Sequence, residues 1–170
     1  GRRCQADGGG RRSPTTRVGG GPGGGDGRRP FAVLAKPTGA ACNLDCTYCY
    51  FRSKESLYVH DTQRMSDGGL EVFLRNLLDA QPDGPVEIAW QGGEPTLRGL
   101  DFYRRAVGLA ESLRRPRQRV SHTLQTNGTL LDDAWGEFLD EHHFLVGLSI
   151  DGPADVHDVY RVNRAGRGTH

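Results

Sequence analysis

VEIAWQGGEPTLRGLDFYRRAVGLAESLRRPRQRVSHTLQTNG, residues 86–128, holds one complete strand–helix–strand unit. Val86–Trp90 is a short apolar run rich in residues that suit a pleated surface, the pattern of a buried strand. From Gly99 to Arg114, Tyr103, Ala106, Val107, Ala110 and Leu113 fall on one side of a helix. Pro116 stops that helix because proline has no N–H to donate and its ring clashes with the preceding turn. Val120–Gln125 is the next strand, and Asn127-Gly128 is a turn pair whose residues tolerate positive φ. Two strands joined by a helix of this length must run parallel, with a right-handed crossover.

The same alternation extends in both directions. Upstream, Phe31–Lys36 reads as a buried strand ended by Pro37, and a polar, cysteine-bearing loop runs from Thr38 to about Met65. Ser66-Asp67 opens a helix in which Leu70, Phe73, Leu74, Leu77 and Leu78 share one face, and Asp83-Gly84-Pro85 breaks it. Downstream, Asp132 caps a helix carrying Trp135, Phe138 and Leu139. Phe144–Ile150 is a fourth strand, ended by Asp151-Gly152-Pro153. The class is therefore α/β, with about four parallel βα units. Eight such units close a barrel in about 250 residues, so a partial (βα) barrel is predicted. With no closing element before His170, the chain is expected to be the front portion of something longer.

Composition is uneven. The chain has 170 residues, 22 Lys and Arg against 21 Asp and Glu, 25 Gly and four Cys. Residues 1–29 hold 11 of those glycines and seven arginines, with only Cys4, Ala6 and Val18 apolar. Such a segment cannot bury enough apolar surface to offset its ordering entropy, so a disordered Gly/Arg-rich tail is expected there, with the folded unit over 30–170. The tail carries the basic charge, leaving about −4 on the rest, which argues against a nucleic-acid partner. No apolar run approaches the roughly 18 residues of a membrane span, and no signal-peptide pattern opens the chain. The cysteines are thus not expected to form a disulfide framework.

Every strand is followed by a polar loop, and in parallel α/β folds such loops converge on one ligand-binding face. The first carries Cys42-Asn-Leu-Asp-Cys46-Thr-Tyr-Cys49, a C-x3-C-x2-C spacing. A structural zinc site wants four ligands, usually as two separated pairs, and would need His60 or Cys4 to complete it. A thiol redox pair leaves Cys42 unexplained. A cubane iron–sulfur cluster held by three thiolates leaves one iron free for a small molecule.

This motif directly after a first strand, with Tyr48 before the last cysteine, is similar to that of the radical S-adenosylmethionine enzymes. The resemblance implies a radical-SAM barrel fold, with Cys42, Cys46 and Cys49 holding a [4Fe–4S] cluster whose open iron chelates S-adenosylmethionine (SAM). Reductive cleavage of SAM then yields a 5′-deoxyadenosyl radical that abstracts hydrogen from substrate. Gly92-Gly93-Glu94-Pro95 resembles the family's GGE motif, which assigns to the Gly93 carbonyl the amino group of SAM and to Glu94 support of the loop. Gln125-Thr-Asn-Gly128 and Ser149-Ile-Asp-Gly-Pro153, followed by His157-Asp158 and Arg161, match a further pattern. It assigns Ser149 and Arg161 to the carboxylate and ribose side of SAM and Tyr48 to its adenine or ribose. Gln91 and Gln125 are candidates for a peptide substrate.

CNLDCTYCYF, WQGGEPTL, QTNGTLL and LSIDGP in this order look most like the anaerobic sulfatase-maturating enzymes. That resemblance implies oxidation of a Cys or Ser side chain of a sulfatase polypeptide to Cα-formylglycine. It further implies a flavodoxin- or ferredoxin-type electron donor, a cytoplasmic location, and an auxiliary-cluster domain beyond residue 170. The presumed catalytic base, an Asp, would also lie downstream, so no catalytic residue is expected within the chain. Related peptide maturases that form thioether or carbon–carbon crosslinks are the alternative within the class. A zinc-binding, non-catalytic module is the alternative outside it.

Overall fold

The computed structural model describes residues 27–55 and 64–170. The expected tail, Cys4 included, falls outside these residues up to position 26, and so does His60. The elements are β1 (Val33–Ala35), α1 (Arg52–Glu55), α2 (Asp67–Ala80), β2 (Gly84–Trp90), a 3-10 turn (Pro95–Arg98), α3 (Leu100–Leu113), β3 (Gln118–Thr126), α4 (Asp133–Glu141), β4 (Leu145–Leu148) and α5 (Ala154–Tyr160). The four strands form one open sheet in the order β1-β2-β3-β4, with every neighbouring pair parallel. This is the predicted α/β series of four parallel units.

Alternation sorts each strand's residues between two faces. Val86, Ile88 and Trp90 of β2 and His122 and Leu124 of β3 are buried beneath the helices. They meet Leu70, Leu74, Leu77 and Leu78 of α2, Phe102, Tyr103, Ala106 and Ala110 of α3, and Trp135 and Phe138 of α4. Trp90 is the hub: Phe73, Phe102 and Tyr103 all meet it edge-on, with ring centroids 6.3, 5.9 and 5.6 Å away. Its Nε1–H donates to His122 Nδ1 at 3.2 Å, and His122 stacks on Phe144. Burial pushes the His122 imidazole down to about 4, so it is a neutral core group.

Caps follow the expected chemistry. Ser66 Oγ accepts from Gly69 N at the start of α2, and Asp132 does the same for Trp135 N at α4. The end of α2 is closed from the α3–β3 connection: Arg115 donates to the carbonyls of Leu78 and Gln81, and Gln118 Nε2 donates to Leu78 O at 2.8 Å. Gln81 in turn donates to Phe31 O at 2.5 Å and fixes the approach to β1.

Three expectations need correction. The predicted strand at Phe31–Lys36 shrinks to three residues, and it is not buried throughout: Phe31 is exposed and Leu34 is 48% exposed. β1 is an edge strand, and Leu34 pairs with Ala89 on the face that carries no helices. The fourth strand covers Leu145–Leu148 of the predicted Phe144–Ile150 and is mostly exposed for the same reason, lying at the opposite edge. Two helices, α1 inside the cysteine loop and α5 after β4, were not expected. Both are short, and α5 buries only His157, so neither presents an apolar stripe.

Candidate cofactor site

The loops at the carboxyl ends of all four strands meet. Cys42, Cys46 and Cys49 from the first, Gly92 to Glu94 from the second, Gln125 to Asn127 at the end of β3, Ser149 just after β4 and Arg161 just after α5 surround one cavity of about 410 Å³. Gln91 and Tyr48 line it as well. All nine residues singled out from the sequence therefore border a single space. Glycine at 93 has a reason other than approach to a ligand: a Cβ there would run into the Ala41 carbonyl and lie 2.6 Å from that of Ala40. Gly93 N donates to Gly39 O and Glu94 N to Ala41 O, so the Gly-Gly loop is laid directly on the backbone that carries the cysteines.

Glu94 fastens this arrangement. Its buried carboxylate accepts from Thr96 N (3.0 Å), Thr96 Oγ1 (2.6 Å) and Thr126 Oγ1 (2.7 Å) on one oxygen and from Asn127 N (2.8 Å) on the other. Four neutral donors satisfy a charge taken out of water. The supporting role expected for Glu94 holds. Tyr103 joins α3 to the same loop by donating to Pro95 O at 2.9 Å.

The thiols are free and partly to fully buried. Burial, the leading cause, raises the Cys42 and Cys46 thiols above their ordinary range, while Arg161 pulls Cys46 back down. Leu44 N–H donates to Cys42 Sγ at 3.4 Å. Among the described residues, no three His, Cys, Asp or Glu side chains converge to hold one metal ion. A lone zinc needs its donors about 2.0–2.3 Å from a single point. Three cysteines set around a hollow suit a cluster, whose irons each take a separate thiolate.

A second group sits on the rim. Tyr48 Oη donates to Asp151 Oδ2 at 2.5 Å, and Arg161 Nε lies 3.0 Å from the same oxygen. The Arg161 pairing is off the line of a hydrogen bond, and its buried Nε–H is left without an acceptor. The guanidinium also lines the cavity, where its remaining N–H groups can meet a ligand carboxylate. The Asp151 carboxyl is held below its usual range, chiefly by the Tyr48 hydroxyl, with Arg161 adding to it. Desolvation and then the bond to Asp151 push the Tyr48 phenol up to about 12. His157 Nδ1 accepts from Asp151 N at 3.3 Å and fixes the backbone of that acid.

Gln125 and Ser149, assigned from the sequence to different ligands, touch each other: Gln125 Nε2 donates to Ser149 Oγ at 3.0 Å. Gly147 leaves room for that glutamine, since a Cβ at 147 would collide with its amide oxygen. Sequence reasoning missed two residues. Asp151 reads as a turn former, and nothing in the sequence pairs it with Tyr48. Arg164 reads as one more surface charge, yet its Nε and Nη2 both donate to Cys42 O, at 3.1 and 2.8 Å.

The strand ends of the parallel sheet gather three free thiols, a glycine loop and an arginine around one cavity, the layout of an α/β core that can hold an iron–sulfur cluster and an anionic organic ligand. The chain belongs to the Radical SAM superfamily, whose model matches residues 37–170. It is 44% identical over 142 residues to a serine-type anaerobic sulfatase-maturating enzyme of Klebsiella aerogenes, covering 82% of this chain and 34% of that protein. It is 40% identical over 141 residues to a cysteine-type anaerobic sulfatase-maturating enzyme of Clostridium perfringens (strain 13 / Type A), covering 82% and 38%. Native anSMEcpe with bound AdoMet and Cp18Cys peptide superposes with a TM-score of 0.73 at 38% identity, over 83% of this chain and 37% of that one. Native anSMEcpe with bound AdoMet gives 0.75 at 41% identity, over 82% and 37%. The chain thus spans little more than a third of the length of these relatives.

Proposed function

We propose that the chain is the SAM-binding part of an enzyme that oxidises a Cys or Ser side chain of a sulfatase polypeptide to Cα-formylglycine. The observation that carries this reading is the convergence of three free thiols, the Gly-Gly loop and the Arg161 guanidinium on one cavity. The similarity to enzymes of both the serine and the cysteine type supports the reaction class, and the structures that hold AdoMet and peptide support the ligands.

When bound, the [4Fe–4S] cluster and SAM supply a one-electron reductive cleavage that generates a hydrogen-abstracting radical. The residues of the chain bind and orient. Cys42, Cys46 and Cys49 hold the cluster. The Gly93 carbonyl accepts from the ligand's amino group, Arg161 and Ser149 take its carboxylate and ribose side, and Tyr48 borders the adenine or ribose. Gln91 and Gln125, which line the cavity, donate to and accept from the backbone of an extended peptide. A flavodoxin- or ferredoxin-type donor provides the electron, and the reducing chemistry fits a cytoplasmic setting. Among the described residues no helix is long and apolar enough to cross a membrane.

Anaerobic reconstitution with iron and sulfide tests the reading. A brown chain absorbing broadly near about 400 nm, as iron–sulfur proteins do, and releasing 5′-deoxyadenosine from SAM under a strong reductant is the expected result. A colourless chain that binds one zinc overturns it.

A further inference from the structure

The cysteine loop is closed by a segment more than a hundred residues away. Asp45 N donates to Val162 O at 2.8 Å and Thr47 N to Tyr160 O at 3.0 Å, so the residues on both sides of Cys46 are tied to the end of α5 and the residues just after it. Leu44 and Asn163 form an isolated antiparallel bridge. Beyond it, Asn163 builds a tight turn: its Oδ1 accepts from Ala165 N and Arg167 N, and its backbone pairs with Arg167 O. That turn aims the Arg164 guanidinium at the Cys42 carbonyl, which receives two of its N–H groups. Cys49 is held differently, through Cys49 N to Cys46 O and Arg52 N to Cys49 O, within its own loop.

We infer that Arg164 and the backbone of Tyr160–Val162 form a latch that sets the shape of the cysteine loop. Arg164 is a positioning residue, acting on Cys42 through that residue's carbonyl. An arginine suits the task because two donors on a rigid plane fix both the distance and the direction of one acceptor. The latch's bearing on catalysis rests on the cluster reading above.

The test is site-resolved alkylation of the metal-free 170-residue chain with limiting iodoacetamide, under anaerobic reducing conditions at one pH, read by peptide mass mapping. Cys49 serves as the internal reference. In Arg164→Ala the ratio of Cys42 to Cys49 labelling rises about fivefold, the opening expected when one hydrogen-bonded clamp is lost. Arg164→Lys keeps the charge and one donor, and returns the ratio to within about twofold of the unaltered chain. Arg167→Ala, in the same turn, leaves it unchanged. An unchanged ratio in Arg164→Ala, or equal rises at Cys42 and Cys49, overturns the inference. An altered ratio in a chain that assembles no cluster would sink the cluster reading while leaving the latch intact.

Discussion

Glu94 Oε2 accepts the backbone N–H of Asn127 at 2.8 Å, joining the loop after β2 to the loop after β3 across the floor of the site. Its other oxygen collects Thr96 and Thr126. The acid that ends the Gly-Gly motif thus commits both carboxylate oxygens to holding its own loop against the end of β3.

Glu94→Gln therefore sets an amide N–H against donors that have no alternative partner. A loss of about 1–3 kcal/mol is expected, read as a lowered denaturation midpoint with an unchanged m-value. Stability equal to the parent's would show that the carboxylate is dispensable to the loop junction.

Gly93→Ala is a harsher change. Its Cβ would enter the Ala41 carbonyl, and backbone cannot step aside as a side-chain tip can. A cost of about 3 kcal/mol or more is expected, seen as a large fall in Tm or loss of soluble chain. A well-folded Gly93→Ala protein would mean that the two loops are not packed as described.

Cys46→Ala, reconstituted beside the parent chain, should retain almost no iron and yield no 5′-deoxyadenosine, with Cys42→Ala and Cys49→Ala behaving alike. Normal iron content in any of the three would remove that cysteine from the ligand set.

Arg161→Ala separates ligand binding from cluster binding. Loss of a charge-assisted pair to a carboxylate weakens SAM binding by about 10- to 100-fold while iron per chain stays constant. Equal affinity, measured by equilibrium dialysis of the loaded protein, would assign the carboxylate to another residue.

His122 makes the fold acid-sensitive. Its folded value, about 4, lies below the ordinary 6.5, so between those limits the unfolded chain binds the extra proton. Stability is complete above about pH 6.5 and declines as pH falls toward 4, by about 3 kcal/mol in all. Denaturant titrations across that window should show the decline in the parent chain, and His122→Gln should flatten it. A decline of the same size in both proteins would place the sensitivity elsewhere.

Much of this molecule is legible in its sequence because much of it is local. The leucines of α2 and the aromatic face of α3 advertise their burial by spacing alone, and Asp132 and Ser66 cap where caps were expected. The nine site residues lie at strand ends and in loops that the parallel topology gathers at one end. What could not be read depends on partners distant in the chain. Leu34 looks like a core residue until β1 turns out to be an edge. Asp151 gains its meaning from Tyr48, 103 positions earlier. α5 buries a histidine in place of an apolar stripe, so periodicity is silent there.

The latch also sets an order of events during synthesis. Cys42 and Arg164 are 122 positions apart. At about 5–20 residues per second of translation, the cysteines are made roughly 6–24 s before the arginine that will clamp them. For that interval the cysteine loop leaves the ribosome without its clamp, although β2, β3 and β4 are all made within it. The latch therefore closes last, after every strand of the sheet has emerged.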